Sequence, residues 1–268
     1  LPIGHSSDGD TLAINHLPPV VATDATDQPA SRGALHALHL FILKKSGRKT
    51  DRIGLRSAEL AADHSVAYGE IDQSRFKAGD RIALFVHGFT ADTAGMVRAL
   101  VPFLRSQGVN YTHLLTYDYE TFGTGIAQNG ETLALALRQR CGLNAADEIT
   151  VHVFAHSMGT LVVRSLVDLY GGHELVDRVV LAGPPNNGTT LASLSRGATY
   201  LLAAMLNGIA NLPIASAVPW LVQEFYDQGL GWADLVTDSD LVRQLNDLDT
   251  PDSTPYLVLA GNSRSTTW

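Results

Sequence analysis

Residues 148–170 read EITVHVFAHSMGTLVVRSLVDLY, and this stretch decides the fold. The first nine (148–156) are mostly apolar and β-branched, which predicts a strand buried on both faces. Residues 158–170 carry apolar side chains at helical spacing until Gly171 and Gly172 stop them. Between the two lies Ala155-His156-Ser157-Met158-Gly159. A serine at such a strand-to-helix turn sits on strained backbone, with its hydroxyl pushed out above the sheet. Crowding at the turn demands small residues two before and two after the serine, and Ala155 and Gly159 meet that demand. The backbone N–H groups at the start of the following helix point outward, so Met158 N–H is placed to meet developing negative charge. A serine that merely caps a helix would read the same in five letters. The rest of the chain has to separate the two.

Working outward, RIALFVHG (81–88) is a second apolar strand, ending in His87-Gly88. The backbone N–H of Phe89 is placed to be a second donor. Two donors converging on one oxyanion are what acyl transfer needs. An ordinary strand-to-loop turn is the competing reading of His87-Gly88. Further strands are expected at 111–119, 176–183 and 254–261, and helices at 93–106 and 126–140. Near-continuous apolar strands alternating with helices predict a mostly parallel central sheet with helices on both faces.

The chain has 268 residues, 45% hydrophobic and 17% charged, with a formal charge of −8. That hydrophobicity excludes a disordered chain, and the acidic balance argues against nonspecific nucleic-acid binding. The single cysteine, Cys141, excludes an intramolecular disulfide framework and a cysteine-rich metal site. Residues 1–77 hold nine acids and nine bases, whereas 78–268 hold eighteen acids and ten bases. The shift suggests a boundary near Gly79. Before it, 1–77 reads as a linker followed by a strand-rich section: ALHALHLFILKK (34–45), DRIGLRSAEL (51–60) and HSVAYGEID (64–72). That section is either an accessory layer or the first strands of the main sheet. Lys44-Lys45-Ser46-Gly47-Arg48-Lys49 reads as a solvated hairpin turn, with transient contact to anionic headgroups the lesser alternative.

FVHGF, TYDY, VFAHSMGTLVVRSLV and VDRVVLAGPPNNGTTLA together resemble the α/β-hydrolase superfamily, in particular bacterial lipases and lipase-like esterases. The resemblance covers about 80–192 and resumes at 245–262. It implies the α/β-hydrolase fold with a helical cap insertion at about 193–244 in a core spanning 78–268. It implies Ser157 as nucleophile and the N–H groups of Phe89 and Met158 as the oxyanion hole. His87, Gly88, Ala155, His156 and Gly159 shape the motif, and His156 is not the base. The turn Gly183-Pro184-Pro185 departs from the family pattern without touching the chemistry.

The family's base is a histidine after the last core strand, yet the last histidine here is His173. That residue falls at the far end of the helix that starts beside Ser157. His64 and His113 fare little better; Asp118 reads as a surface or packing residue, and Asp247, Asp249 and Asp252 as turn residues. The catalytic base and acid are therefore expected beyond Trp268, in a longer protein of which this sequence, opening on Leu1, is a part. Two alternatives stand: a histidine from the amino-terminal section, or a non-catalytic binding module. Residues 197–223 carry no charge. Pro213 and Pro219 argue against a membrane span there, and an apolar cap lining an acyl cleft is expected. The expected substrate is a hydrophobic carboxylic ester or lipid. Acyltransferase, thioesterase and phospholipase chemistry on the same fold are the alternatives. No cofactor, metal or nucleic acid is expected. The oligomeric state is open, and so is the choice between a cytoplasmic protein and one secreted after signal removal.

Overall fold

The computed structural model describes residues 53–260 apart from 90–91, 122–123, 190–232 and 249–252, together with the backbone of 4–5 and 12–13. Seven strands follow in chain order: β1 (Gly54–Leu60), β2 (Val66–Gly69), β3 (Arg81–Val86), β4 (His113–Asp118), β5 (Thr150–His156), β6 (Arg178–Ala182) and β7 (Tyr256–Leu259). They form one sheet in the order β2-β1-β4-β3-β5-β6-β7. The pairs from β4 through β7 are parallel, and β1 is antiparallel to both β2 and β4. Residues 54–69 are thus strands of the main sheet, the second of the two placements open to them. Gly4–His5 and Leu12–Ala13 form a separate two-strand ladder. The strand expected at 34–45, and the basic run that ends it, lie outside the described residues.

Alternation along β3 shows why both faces of the sheet must be covered. Ala83 and Phe85 pack with Val97, Val101 and Phe154 on one face. Ile82, Leu84 and Val86 join the larger core on the other. All five are fully buried. A buried aliphatic side chain of this size favours folding by about 2 kcal/mol, so a polar residue at any of these positions would be costly.

Helix α1 (Thr93–Ser106) starts where Asp92 accepts a hydrogen bond from Gly95 N–H at 3.1 Å. Its buried face, Ala94, Val97 and Val101, covers the smaller core. Helix α2 (Ile126–Arg140) buries Ile126, Asn129, Gly130, Leu133, Ala134 and Leu137, a stripe of helical period. Helix α3 (Met158–Arg164) is buried all round and runs on as a π-helical stretch, Ser165–Leu169. A Cβ on Gly130 would come within 2.7 Å of Ser165 Cβ and 2.9 Å of the Val162 carbonyl, so α2 and α3 cross backbone to backbone.

Helix α4 (Asp240–Asp247) straddles the end of the expected cap range, and its Leu241, Val242 and Leu245 pack in the larger core. The chain returns to the core ahead of it. Thr189 N–H donates to the Leu235 carbonyl at 2.8 Å, and Ile126 N–H donates to Asp234 at 2.7 Å. Thr189 and Leu235, on either side of the 190–232 stretch, are therefore adjacent. The uncharged run 197–223 and its apolar side chains lie outside the described residues. Among the described residues no helix is long and apolar enough to cross a membrane.

A polar network centred on the buried Arg164 joins four elements. Arg164 donates to Asn186 at 3.2 Å, to Asn246 at 3.0 Å and to the Leu245 carbonyl. Its Nε stands 3.5 Å from Asp168, whose other oxygen accepts from Tyr256 at 2.6 Å.

Candidate active site at the end of strand β5

Ser157 follows β5 directly and is half-buried. Its backbone is at φ 51° and ψ −126°, a region an L-residue enters only at a cost. Three hydrogen bonds hold it there. Ser157 N–H donates to the Ala182 carbonyl at 2.9 Å, extending the β5–β6 ladder past the strand. The Ser157 carbonyl accepts from Thr160 N–H at 3.0 Å and from the Thr160 hydroxyl at 2.5 Å. Met158 is the first residue of α3, and its N–H has no acceptor within the helix by geometry alone.

The loop after β3 lies against this turn. A Cβ on Gly88 would stand 2.8 Å from Ser157 Cβ and 3.0 Å from His156 Nδ1. A Cβ on Gly159 would overlap the His87 carbonyl and come within 2.9 Å of the Val86 carbonyl. Glycine at 88 and 159 is therefore a steric requirement of the approach, and Ala155 fits because it is small and buried. Phe89, next in the loop, packs partly buried against the larger core. His156 is exposed beside Ser157.

His87 is buried, and its ring nitrogens are both engaged. Nε2 accepts from Tyr119 N–H at 3.1 Å, so the proton of the neutral ring sits on Nδ1, which donates to the Gly88 carbonyl at 2.6 Å. A ring committed in this way cannot take a proton from Ser157. The other described histidines sit elsewhere. His113 pairs with Asp80 at 2.9 Å, and β4 places it level with Ile82 and Val151, six residues or about 20 Å from Ser157. His152 bonds Tyr111 at 2.8 Å near the same end. His64 turns the β1–β2 hairpin there too. His173 Nδ1 bonds the Val167 carbonyl at 3.3 Å, beyond a helical run about 18 Å long. Asp118 is buried and bound to Thr93, a packing role rather than a surface one. Asp247 ends α4, while Asp249 and Asp252 lie outside the described residues.

Two contributors, Tyr119 and Thr160, are not singled out by the sequence, and Asp118 is singled out only for packing. Tyr119 supports His87, Asp118 fixes the start of α1, and Thr160 ties down the Ser157 carbonyl. The adjacency of TYDY to the end of a strand was the available signal for the first two. Among the described residues no group of three or more His, Cys, Asp or Glu side chains is placed to hold a metal ion.

A mostly parallel sheet in this order, with a positive-φ serine between β5 and α3, is an α/β-hydrolase fold. Residues 54–265 match the family described as a domain of unknown function, DUF7379, and the chain belongs to that family. No curated protein matches the sequence. Among solved structures, the mature form of the Bacillus licheniformis lipase BlEst2 is 19% identical, covers 70% of this chain and 69% of its own, and has a TM-score of 0.47. Phospholipase PlaB from Legionella pneumophila is 20% identical at a TM-score of 0.48, over 67% of this chain, which spans only 39% of that protein's length. Lipase 1 from Pelosinus fermentans is 17% identical at a TM-score of 0.44, over 66% of this chain and 67% of its own.

Proposed function

We propose that the chain is a serine hydrolase of carboxylic esters with hydrophobic acyl groups, working through an acyl-enzyme on Ser157. The observation that carries this reading is the Ser157 backbone: φ 51° between a buried strand and a buried helix, with Gly88 against its Cβ. Strain of this kind survives only where its surroundings hold it, and here it lifts one hydroxyl above the sheet. Ser157 Oγ attacks the ester carbonyl carbon while a base takes its proton. The carbonyl oxygen becomes an oxyanion, which the N–H groups of Phe89 and Met158 hold. The alcohol leaves with a proton returned by the base, and water then releases the acid.

The base comes from outside the described residues in this reading, since the described histidines are committed or remote, His156 apart, and the family resemblance gives that residue a shaping role. The uncharged 197–223 stretch supports an apolar acyl group over a sugar or a phosphate. Thioesterase, phospholipase and acyltransferase chemistry would use the same serine and differ in leaving group or acceptor. The test is hydrolysis of p-nitrophenyl esters of increasing chain length. Activity should rise from acetate toward medium-chain esters and vanish in Ser157→Ala. Hydrolysis that persists in that variant would refute the assignment.

A further inference from the structure

We propose that Asp118 and Tyr119 are positioning residues that hold His87-Gly88 and Thr93, on either side of Phe89, so that Phe89 N–H is aimed at the ester oxygen before substrate arrives. The inference rests on the ester-hydrolase reading above. Tyr119 holds His87. Its hydroxyl donates to the His87 carbonyl at 2.9 Å, its backbone N–H donates to His87 Nε2 at 3.1 Å, and the two rings stack at 4.4 Å. His87 passes the constraint on through Nδ1 to the Gly88 carbonyl. Asp118 holds Thr93. One carboxylate oxygen accepts from Thr93 N–H at 3.1 Å and the other from the Thr93 hydroxyl at 2.5 Å.

The two residues are consecutive and stand at the end of β4, which pairs with β3 up to Val86 and Tyr117. His87 and Thr93 are therefore held by neighbouring residues that follow one rigid ladder. Both anchors are buried. Burying a carboxylate and a phenol carries a desolvation cost that Leu and Phe would avoid. Those apolar residues would fill the same space, but Leu would release Thr93 and Phe would give up the hydroxyl's bond to the His87 carbonyl.

An oxyanion donor set in advance acts on the transition state more than on substrate binding, so the signature is in kcat. Tyr119→Phe keeps the ring and the backbone N–H and removes only the hydroxyl. Its kcat on p-nitrophenyl butyrate should fall about tenfold while KM moves less than about twofold. Thr93→Ala should lose a similar amount, and Thr93→Ser should regain it. Circular dichroism checks folding, and if Tyr119→Phe does not fold, the Thr93 pair decides. Wild-type kcat in the folded variants, or equal loss in Thr93→Ala and Thr93→Ser, would overturn the proposal. Side-chain nitrogen NMR of His87 separates the two layers of the claim. An inactive wild-type protein with the proton on Nδ1 means that the hydrolase reading failed, and the positioning role with it. An active protein with the proton on Nε2 means that the clamp alone failed.

Discussion

Gly159 approaches His87 so closely that a side chain on residue 159 would overlap the His87 carbonyl oxygen. The first turn of α3 and the end of β3 thus touch through bare backbone, and Ser157 is trapped between them. Gly159→Ala must push two buried backbones apart. It should destabilise the protein by about 3 kcal/mol, read by thermal or denaturant unfolding. An unchanged midpoint would mean that the contact is looser than the geometry states.

The strain at Ser157 makes a separate prediction. Alanine at 157 keeps the unfavourable φ, whereas glycine relieves it. Ser157→Gly should be more stable than Ser157→Ala by about 1 kcal/mol, although both lack the hydroxyl. Parallel chemical denaturation of the two variants measures this. Glycine equal to or below alanine would place the serine on relaxed backbone.

Arg164 and Asp168 form a buried pair whose loss is asymmetric. Arg164→Ala leaves the Asp168 carboxylate unpaired and should cost about 3–5 kcal/mol at neutral pH. Burial raises the Asp168 carboxyl above the ordinary carboxylate range, ahead of the lowering by Tyr256 and Arg164. A raised folded-state value means that the folded chain gains relative stability as the pH falls through it. The penalty in Arg164→Ala should therefore shrink toward acid pH. A penalty that grows in acid would contradict the burial argument.

Asp80 has the opposite sign. The hydrogen bond from His113, then that from Lys77 N–H, holds its carboxyl below the ordinary range. Such a group contributes stability above its unfolded value, and the contribution is lost as the pH falls through the folded one. Asp80→Asn should flatten the acid limb of the stability curve below about pH 4 and change little on the alkaline side. Unfolding midpoints across pH check this, and an unaltered acid limb would show that the Asp80–His113 pair is idle.

Cys141 is buried, and burial pushes its thiol up to about 12. Native protein at pH 8 should react with a thiol-specific disulfide reagent only on denaturation. Immediate stoichiometric reaction would show that the packing under α2 is open.

The parallel half of this fold was legible because its strands announce themselves. β3, β5 and β6 are apolar runs that a doubly covered sheet requires, and Thr93–Ser106 and Ile126–Arg140 coincide with the expected helices. The helix expected over 158–170 is α up to Arg164 and π beyond it, a change of hydrogen bonding that side-chain spacing does not encode. Of the candidate site, the crowding at Ala155 and Gly159 could be read from residue size, whereas Gly88 entered only through the family resemblance. TYDY at a strand end marks Asp118 and Tyr119, but their partners Thr93 and His87 could not be read. They depend on β4 lying beside β3, a pairing between residues about thirty apart in sequence. The same limit applies to Arg164, whose partners Asn186, Asn246 and Asp168 are gathered only by folding.

The central claim is that Ser157 is an activated nucleophile. Intact-mass measurement after treatment with a fluorophosphonate tests it most directly. One phosphonyl group should be added, mapped to Ser157 by peptide sequencing and absent in Ser157→Ala. A folded protein that stays unmodified, or one labelled equally in Ser157→Ala, would contradict it.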